Sequence, residues 1–281
     1  MKTKNIVALA LLVVTAISAN AQVVTGVNDL VFGFRQSTGS SSLEINLGNI
    51  NQFTGAAAQG IGNATLNLGN FSSLLTSTYG AGWASDSTIQ WSAAGTAGTG
   101  AAATNGQAVR TAWMTDHWNA AAGTLGVQNS TSFSNGFGTA LAGTADGKII
   151  NVYNGMTLAT AGQTTGSAVV LPSGGNSWVT QQGVSTAAWG AFFTNATVNN
   201  QPTNLNGSSS YSASDLYSLT PTGAGTSTNA FFGTFALWSN GDITFTGAAI
   251  PEPSTYAAII GVAMLGFGAI RRRMQRAQAQ A

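Results

Sequence analysis

Ala230-Phe231-Phe232-Gly233-Thr234-Phe235-Ala236-Leu237-Trp238, then Ser239-Asn240-Gly241, then Asp242-Ile243-Thr244-Phe245-Thr246, is the stretch that decides the fold. Aromatic and β-branched runs on either side of an Asn-Gly step are the strongest short-range signal for a β-hairpin. Working outward, the same style recurs. Asp29 to Arg35 and Ser42 to Leu47 approximate a period of two, with Leu43, Ile45 and Leu47 directed to a core and Glu44 and Asn46 to water. Thr88 to Ala93 and Ala108 to Trp113 read as further strands. Helix is the minority state. Asn70 is placed to cap a helix over Phe71–Tyr79 that Gly80 ends, and a second helical piece is expected between Ser177 and Phe193. Gly95 to Gly106 and Asn199 to Ser210 read as low-complexity loops. No repeat of fixed period is present, which argues against a solenoid or propeller. The expected fold is mainly β: a single β-sandwich-like body with a few short helices, residues 22–249.

Composition narrows the chemistry. Of 281 residues only 6% are charged, against about 25% in ordinary soluble domains. Lys2 and Lys4 lie at one end and Arg271, Arg272, Arg273 and Arg276 at the other, leaving Arg35, Arg110 and Lys148 in the body. Eight acidic residues less Glu252 leave seven carboxylates against those three cations, so the body has no basic footprint for nucleic acid. The absence of cysteine excludes disulfides, thiolate metal sites and thiol nucleophiles. His117 is the only histidine, and no Gly-x-Ser-x-Gly elbow accompanies it, so the Asp116-His117 pair is expected to be structural. Asp146-Gly147 and Asp242 read as turn residues. Gly60-Ile61-Gly62 and Gly136-Phe137-Gly138 lack the third glycine of a phosphate loop. No catalytic residue, cofactor or metal site is expected.

The ends carry addresses. Lys2 and Lys4, an apolar stretch from Ile6 to Ile17 and Ala19-Asn20-Ala21 compose a secretory signal peptide, residues 1–21, with signal peptidase leaving Gln22 first. At the other end Pro251-Glu252-Pro253-Ser254-Thr255 precedes an uncharged run, Tyr256 to Ile270, and then Arg271-Arg272-Arg273. The prolines hold the motif extended, and Ser254 is placed to cap the following helix. That run rises about 22 Å as a helix, short of a ~30 Å hydrocarbon core, and the arginines stay cytoplasmic by the positive-inside rule. Residues 250–281 are therefore expected to form a transmembrane sorting tail in the inner membrane, with the body outside.

These three parts, in this order at the end of the chain, resemble the PEP-CTERM sorting tail of Gram-negative, polysaccharide-producing bacteria. Asp29 to Arg35 with Leu43 to Gly48, and Asp215 to Leu219 leading into Gly233-Thr234-Phe235 and Asn240 to Phe245, also resemble the body of such exported proteins. The resemblance implies recognition and processing by exosortase, followed by release or attachment at the cell surface or extracellular matrix. It implies no activity for the body.

The expected function is thus a non-catalytic surface or matrix protein associated with extracellular polysaccharide, since hydroxyl and amide groups hydrogen-bond neutral sugars without counterions. A carbohydrate-active hydrolase is the alternative from another class and needs two carboxylates about 5–10 Å apart. An ice-binding or adhesive protein is the third, needing a flat array built from pairs such as Thr76-x-Thr78, Thr226-x-Thr228 and Thr244-x-Thr246. The tryptophans, Trp83, Trp91, Trp113, Trp118, Trp178, Trp189 and Trp238, are expected mainly in the core, with Trp118 the foremost candidate for exposure. Asn63, Asn70, Asn129, Asn195 and Asn206 head glycosylation sequons.

Overall fold

A computed structural model describes residues 27–37, 39–54, 65–98, 108–117, 124–128, 139–159, 168–182, 196–197, 211–248 and 264. In chain order the strands are β1 (Asp29–Gln36), β2 (Ser41–Asn49), β3 (Thr65–Asn70), β4 (Ile89–Thr96), β5 (Ala112–His117), β6 (Ala168–Pro172), β7 (Ala196–Thr197), β8 (Tyr211–Gly223), β9 (Thr226–Trp238) and β10 (Asp242–Gly247). The helices are α1 (Asn51–Thr54), α2 (Ser72–Tyr79), α3 (Thr139–Ala159) and α4 (Trp178–Gln182), with one 3₁₀ turn at Trp83–Ser85. All described strand pairs are antiparallel, in the order β3-β10-β9-β8-β5-β4-β1-β2-β6, with β7 on β4.

The mainly-β reading holds, but the strands form one continuous sheet rather than the two of a sandwich. Four strand-to-strand steps separate β1 from β9, about 19 Å in a flat sheet at 4.7–4.9 Å per step. Yet the Phe32 and Phe235 rings lie 5.9 Å apart. The sheet therefore curls until its two halves face each other. Phe32 stacks on Trp91 at 4.5 Å, and Phe53, Phe235 and Phe245 close the far side at 4.7–5.5 Å. Leu43, Ile45 and Leu47 enter this concave core as their alternation predicts. Near β10 a bulge supplies curvature. Leu216 pairs with Gly233 and Tyr217 with Phe231, leaving Phe232 extra. Gly233 sits at φ 149°, where a Cβ would strike the β10 backbone.

The convex face holds a second core. Val31, Ala94, Met114, Tyr217 and Leu219 meet Ala142, Ala145, Ile149, Val152, Tyr153 and Met156 of α3, together with Trp178. α3 is 21 residues, about 31 Å long, and corrects the expectation of short helices only. It also corrects the turn reading of Asp146-Gly147, which lies inside it. The i, i+3, i+4 spacing of the apolar residues wins over the glycines because the stripe buries against the sheet. Gly155 is useful there: a Cβ would meet the Asn176 backbone, so the bare glycine lets that segment close on the helix.

Other elements follow local chemistry. Asn70 Oδ1 accepts the Ser72 amide at 3.1 Å at the start of α2, and Gly80, at φ 91°, ends it with its amide on Thr76 O. The hairpin at Ser239–Gly241 closes as expected, with Gly241 at φ 89° and its amide 2.9 Å from Trp238 O. β5 starts four residues later than Ala108, because Ala108–Arg110 turns and Arg110 adopts φ 63°. β4 runs on through Gly95 and Thr96, which the sequence assigns to loop. The helix expected between Ser177 and Phe193 is seen as α4; its remainder lies outside the described residues, as do Asn199–Ser210.

Candidate functional site

The expected site residues sit at the two ends, and both ends lie outside the described residues: Ala19, Ala21 and Gln22, Pro251 to Thr255, and Arg271 to Arg273. The structure does describe how the body hands over to the tail. β10 is not an appendage; it runs between β9 and β3, and Ile243 and Phe245 are buried in the concave core. Its last rung pairs Gly247 with Gly233, and the Ala248 amide donates to Phe232 O at 2.9 Å. Two residues then remain before Pro251. At no more than about 3.6 Å per residue, the motif begins within roughly 11 Å of Ala248. Among the described residues no helix is long and apolar enough to cross a membrane, and the Tyr256–Ile270 run is outside them except for Met264.

Within the body, the topology brings two carboxylates together. Asp116 on β5 is the direct partner of Asp215 on β8, and Asp215 the partner of Thr234 on β9. Directly opposed Cβ atoms in an antiparallel pair lie about 4.5–5.5 Å apart. Thr234 Oγ1 donates to Asp215 Oδ1 at 2.8 Å and accepts the Gly126 amide at 3.1 Å. Asp215 is fully buried and Asp116 nearly so, under a face that the 124–128 segment crosses. His117 closes β5 opposite Ser214.

Glu44 is the site residue that alternation misplaces. Its side chain does leave the concave core, but the outer face there is covered rather than wet. One oxygen accepts Ser42 Oγ at 2.8 Å and the Trp178 amide at 2.6 Å, and the other is buried with no hydrogen-bond partner. Glu44 opposes Gly33 on β1, and the Trp178 indole fills the space a Gly33 side chain would take. Burial pushes the Glu44 carboxyl up to about 7, against the two hydrogen bonds, which act to lower it. Asn46 and Arg35 are likewise buried; Arg35 Nη2 donates to Gln90 Oε1 at 2.8 Å, and burial lowers its pKa. The helix Trp178–Gln182 packs over β2 and β1 beside α3 and makes this face interior, and no signal within β2 encodes that.

Asp146, Asp29, Asp242 and Asp86 each accept hydrogen bonds from neighbouring side chains. Asp146 accepts Thr96 Oγ1 at 2.6 Å, and Asp29 accepts Asn46 Nδ2 at 3.3 Å. Asp242 accepts Asn70 and Asn240 amides at 2.8 and 2.7 Å, as a turn residue should. Asp86 is held low by the Thr88 hydroxyl, then by the Thr88 amide and Gln36. Among the described residues no group of three or more metal-ligating side chains occurs. The open groove between the end of α3 and β6, lined by Gly155, Leu158, Ala159, Leu171, Pro172 and Ser177, carries no titratable group.

Aromatic and hydroxyl surfaces also resolve. Trp83, Trp91, Trp113 and Trp178 are buried and Trp238 is partly buried. Trp118 and Trp189 lie outside the described residues. Thr76 and Thr78 are on α2, Thr244 and Thr246 are buried on β10, and Thr226 and Thr228 are exposed on β9, so the three pairs share no face. Thr222, Thr226 and Thr228 are exposed on an arm of the sheet. β8 and β9 continue as a two-stranded hairpin past Leu219, where β5 begins, and past Gly233, where β10 ends. Thr220 opposes Thr228, Thr222 bonds Thr226 at 3.0 Å, and no charged residue occurs from Leu216 to Gly241. Of the sequon asparagines only Asn70 is described, and its side chain is engaged in the turn.

A family model for the PEP-CTERM protein-sorting motif matches residues 249–273. No curated protein and no solved structure matches the chain. The chain thus carries a PEP-CTERM sorting motif, beginning two residues after Gly247, the end of β10.

Proposed function

We propose that this is an exported, non-catalytic protein of the cell surface or extracellular matrix, processed by exosortase and retained with extracellular polysaccharide. The observation that carries the reading is the sorting motif at 249–273, joined with almost no spacer to a folded β body. In this reading signal peptidase removes residues 1–21 after Ala19-Asn20-Ala21. Tyr256 to Ile270 spans the inner membrane, and Arg271 to Arg273 hold it from the cytoplasm. Exosortase then acts at Pro251-Glu252-Pro253. The neutral, hydroxyl-rich arm at residues 220–229 supports an affinity for uncharged sugars. The enclosure of Glu44, Asp146 and Asp215 within hydrogen-bonded interiors supports structural work for those carboxylates. Glu252→Ala is expected to leave membrane insertion intact and to stop processing, read as a full-length membrane form beside the shortened wild type. A wild-type surface protein that keeps its C-terminal residues would refute the sorting reading. Retention on the host's own polysaccharide no greater than that of an unrelated exported β-protein would refute the matrix reading.

A hydrolase is the second reading because Asp116 and Asp215 are direct cross-strand partners, and glycosidases work with a pair of carboxyl groups. Their burial opposes it. Release of reducing ends from the host polysaccharide, abolished by Asp215→Asn, would establish it.

A further inference from the structure

β9 is longer than the strand beside it. Its residues 226–232 are held by β8 on one edge, while β10 covers the other edge only from Gly233 to Leu237. Among the described residues no strand lies along that overhang, which is about 24 Å long. An uncovered strand edge is a template for a further strand. The overhang points the way the chain leaves, and the Ala248 amide already makes the first bond to it, at Phe232 O.

The sequence that follows suits this edge. Backbone N–H groups alternate sides along a strand. With Ala248 N–H directed at β9, an extended continuation directs the amides of Ile250, Glu252 and Ser254 at β9 as well. Ala249, Pro251 and Pro253 take the alternate positions. Both prolines therefore fall where no donor is needed, and their rings close the outer edge to any further strand. The lengths agree too: seven residues, 248–254, run from the end of β10 to just before the apolar segment, and the overhang is also seven residues. The arm carries no charge to repel Glu252.

We propose that residues 249–254 dock as an added strand on the overhanging edge of β9, residues 226–232, so that the precursor holds its own sorting motif extended against the hairpin arm until exosortase takes it. The docking follows from the sheet; its role in delivery rests on the sorting reading above. Backbone pairing supplies the contact, as in other strand-addition complexes, and the tether makes it intramolecular.

The chain has no cysteine, so paired cysteines report the docking directly. In full-length chain in membranes of a host without exosortase, Ile250→Cys is combined in turn with Thr228→Cys, Asn229→Cys and Ala230→Cys. Ile250→Cys with Thr65→Cys, at the start of β3 on the opposite flank of β10, is the proximity control. At least one β9 pair should oxidise tenfold faster than the control. Separately, Ile250→Pro with Glu252→Pro removes two donors without touching the described sheet, and should speed exchange of the edge-facing amides of Thr228 and Ala230 at least tenfold, while the β8-facing amides of Asn229 and Phe231 stay protected. No β9 pair exceeding the control, or unchanged exchange in the proline variant, overturns the docking. Neither readout involves exosortase. Docking present with an unprocessed tail in the native host would count against the sorting reading alone, and processing without docking against this inference alone.

Discussion

Replacing Glu44 by Gln should remove most of the protein's pH dependence of stability between pH 5 and 8. In the folded chain the Glu44 carboxyl is fully buried, takes two hydrogen bonds on one oxygen and none on the other, and forms no ion pair among the described residues. Its pKa rises from 4.5 to about 7, with desolvation as the largest cause. The folded state therefore holds a proton that the unfolded state releases, so stability falls as pH rises. The contribution is complete below about pH 4.5, declines as pH rises through 7, and is gone above it. At 1.36 kcal/mol per tenfold change in proton affinity, a rise from 4.5 to about 7 corresponds to about 3 kcal/mol. That is a large part of a 5–15 kcal/mol total. Urea midpoints taken at half-unit steps from pH 5 to 8.5 should drop for wild type and stay level for Glu44→Gln. The variant leaves a buried amide imperfectly paired, so it should be the less stable at pH 5 and lose that disadvantage by pH 8. Parallel curves for the two proteins would show that the Glu44 carboxyl is solvated, and that α4 does not seal it.

Other changes test the same packing. Gly33→Ala puts a methyl group inside the Trp178 indole and should destabilise by about 1–3 kcal/mol, with Trp178 fluorescence shifted red as the ring is expelled. Thr234→Val removes the hydroxyl that donates to buried Asp215 and accepts from Gly126; a loss of about 1–3 kcal/mol in urea unfolding is expected, and an unchanged midpoint would mean water reaches Asp215. Replacing Arg271, Arg272 and Arg273 with Gln should weaken membrane retention of the precursor, since each basic residue near an anionic leaflet contributes about 1 kcal/mol; carbonate extraction measures it, and full retention would show that the apolar run holds alone.

Local chemistry carries much of this protein in legible form. The Asn240-Gly241 turn, the Asn70 and Gly80 ends of α2, and the alternation of Leu43, Ile45 and Leu47 each depend on residues within a few positions, and each appears in the structure as read. The sorting motif is legible for the same reason: it is a linear signal, read from consecutive residues whatever the body does. β5 starts later than its side chains suggest: Val109 and Trp113 are both strand-like, while backbone geometry at Arg110 makes the turn.

Composition, period and motif are properties of neighbouring residues, and they suffice for a charge-poor, mainly-β chain with a sorting address. That the strands make one curled sheet is a matter of long-range packing, since curling depends on rings such as Phe32 and Phe235, some two hundred positions apart in sequence, meeting across four strand-to-strand steps. That Asp116 stands beside Asp215 is a matter of register between β5 and β8. The dryness of Glu44 is long-range too. Alternation states which face of a strand a residue occupies, but whether that face meets water depends on what later folds over it, here Trp178, 134 residues further along the chain.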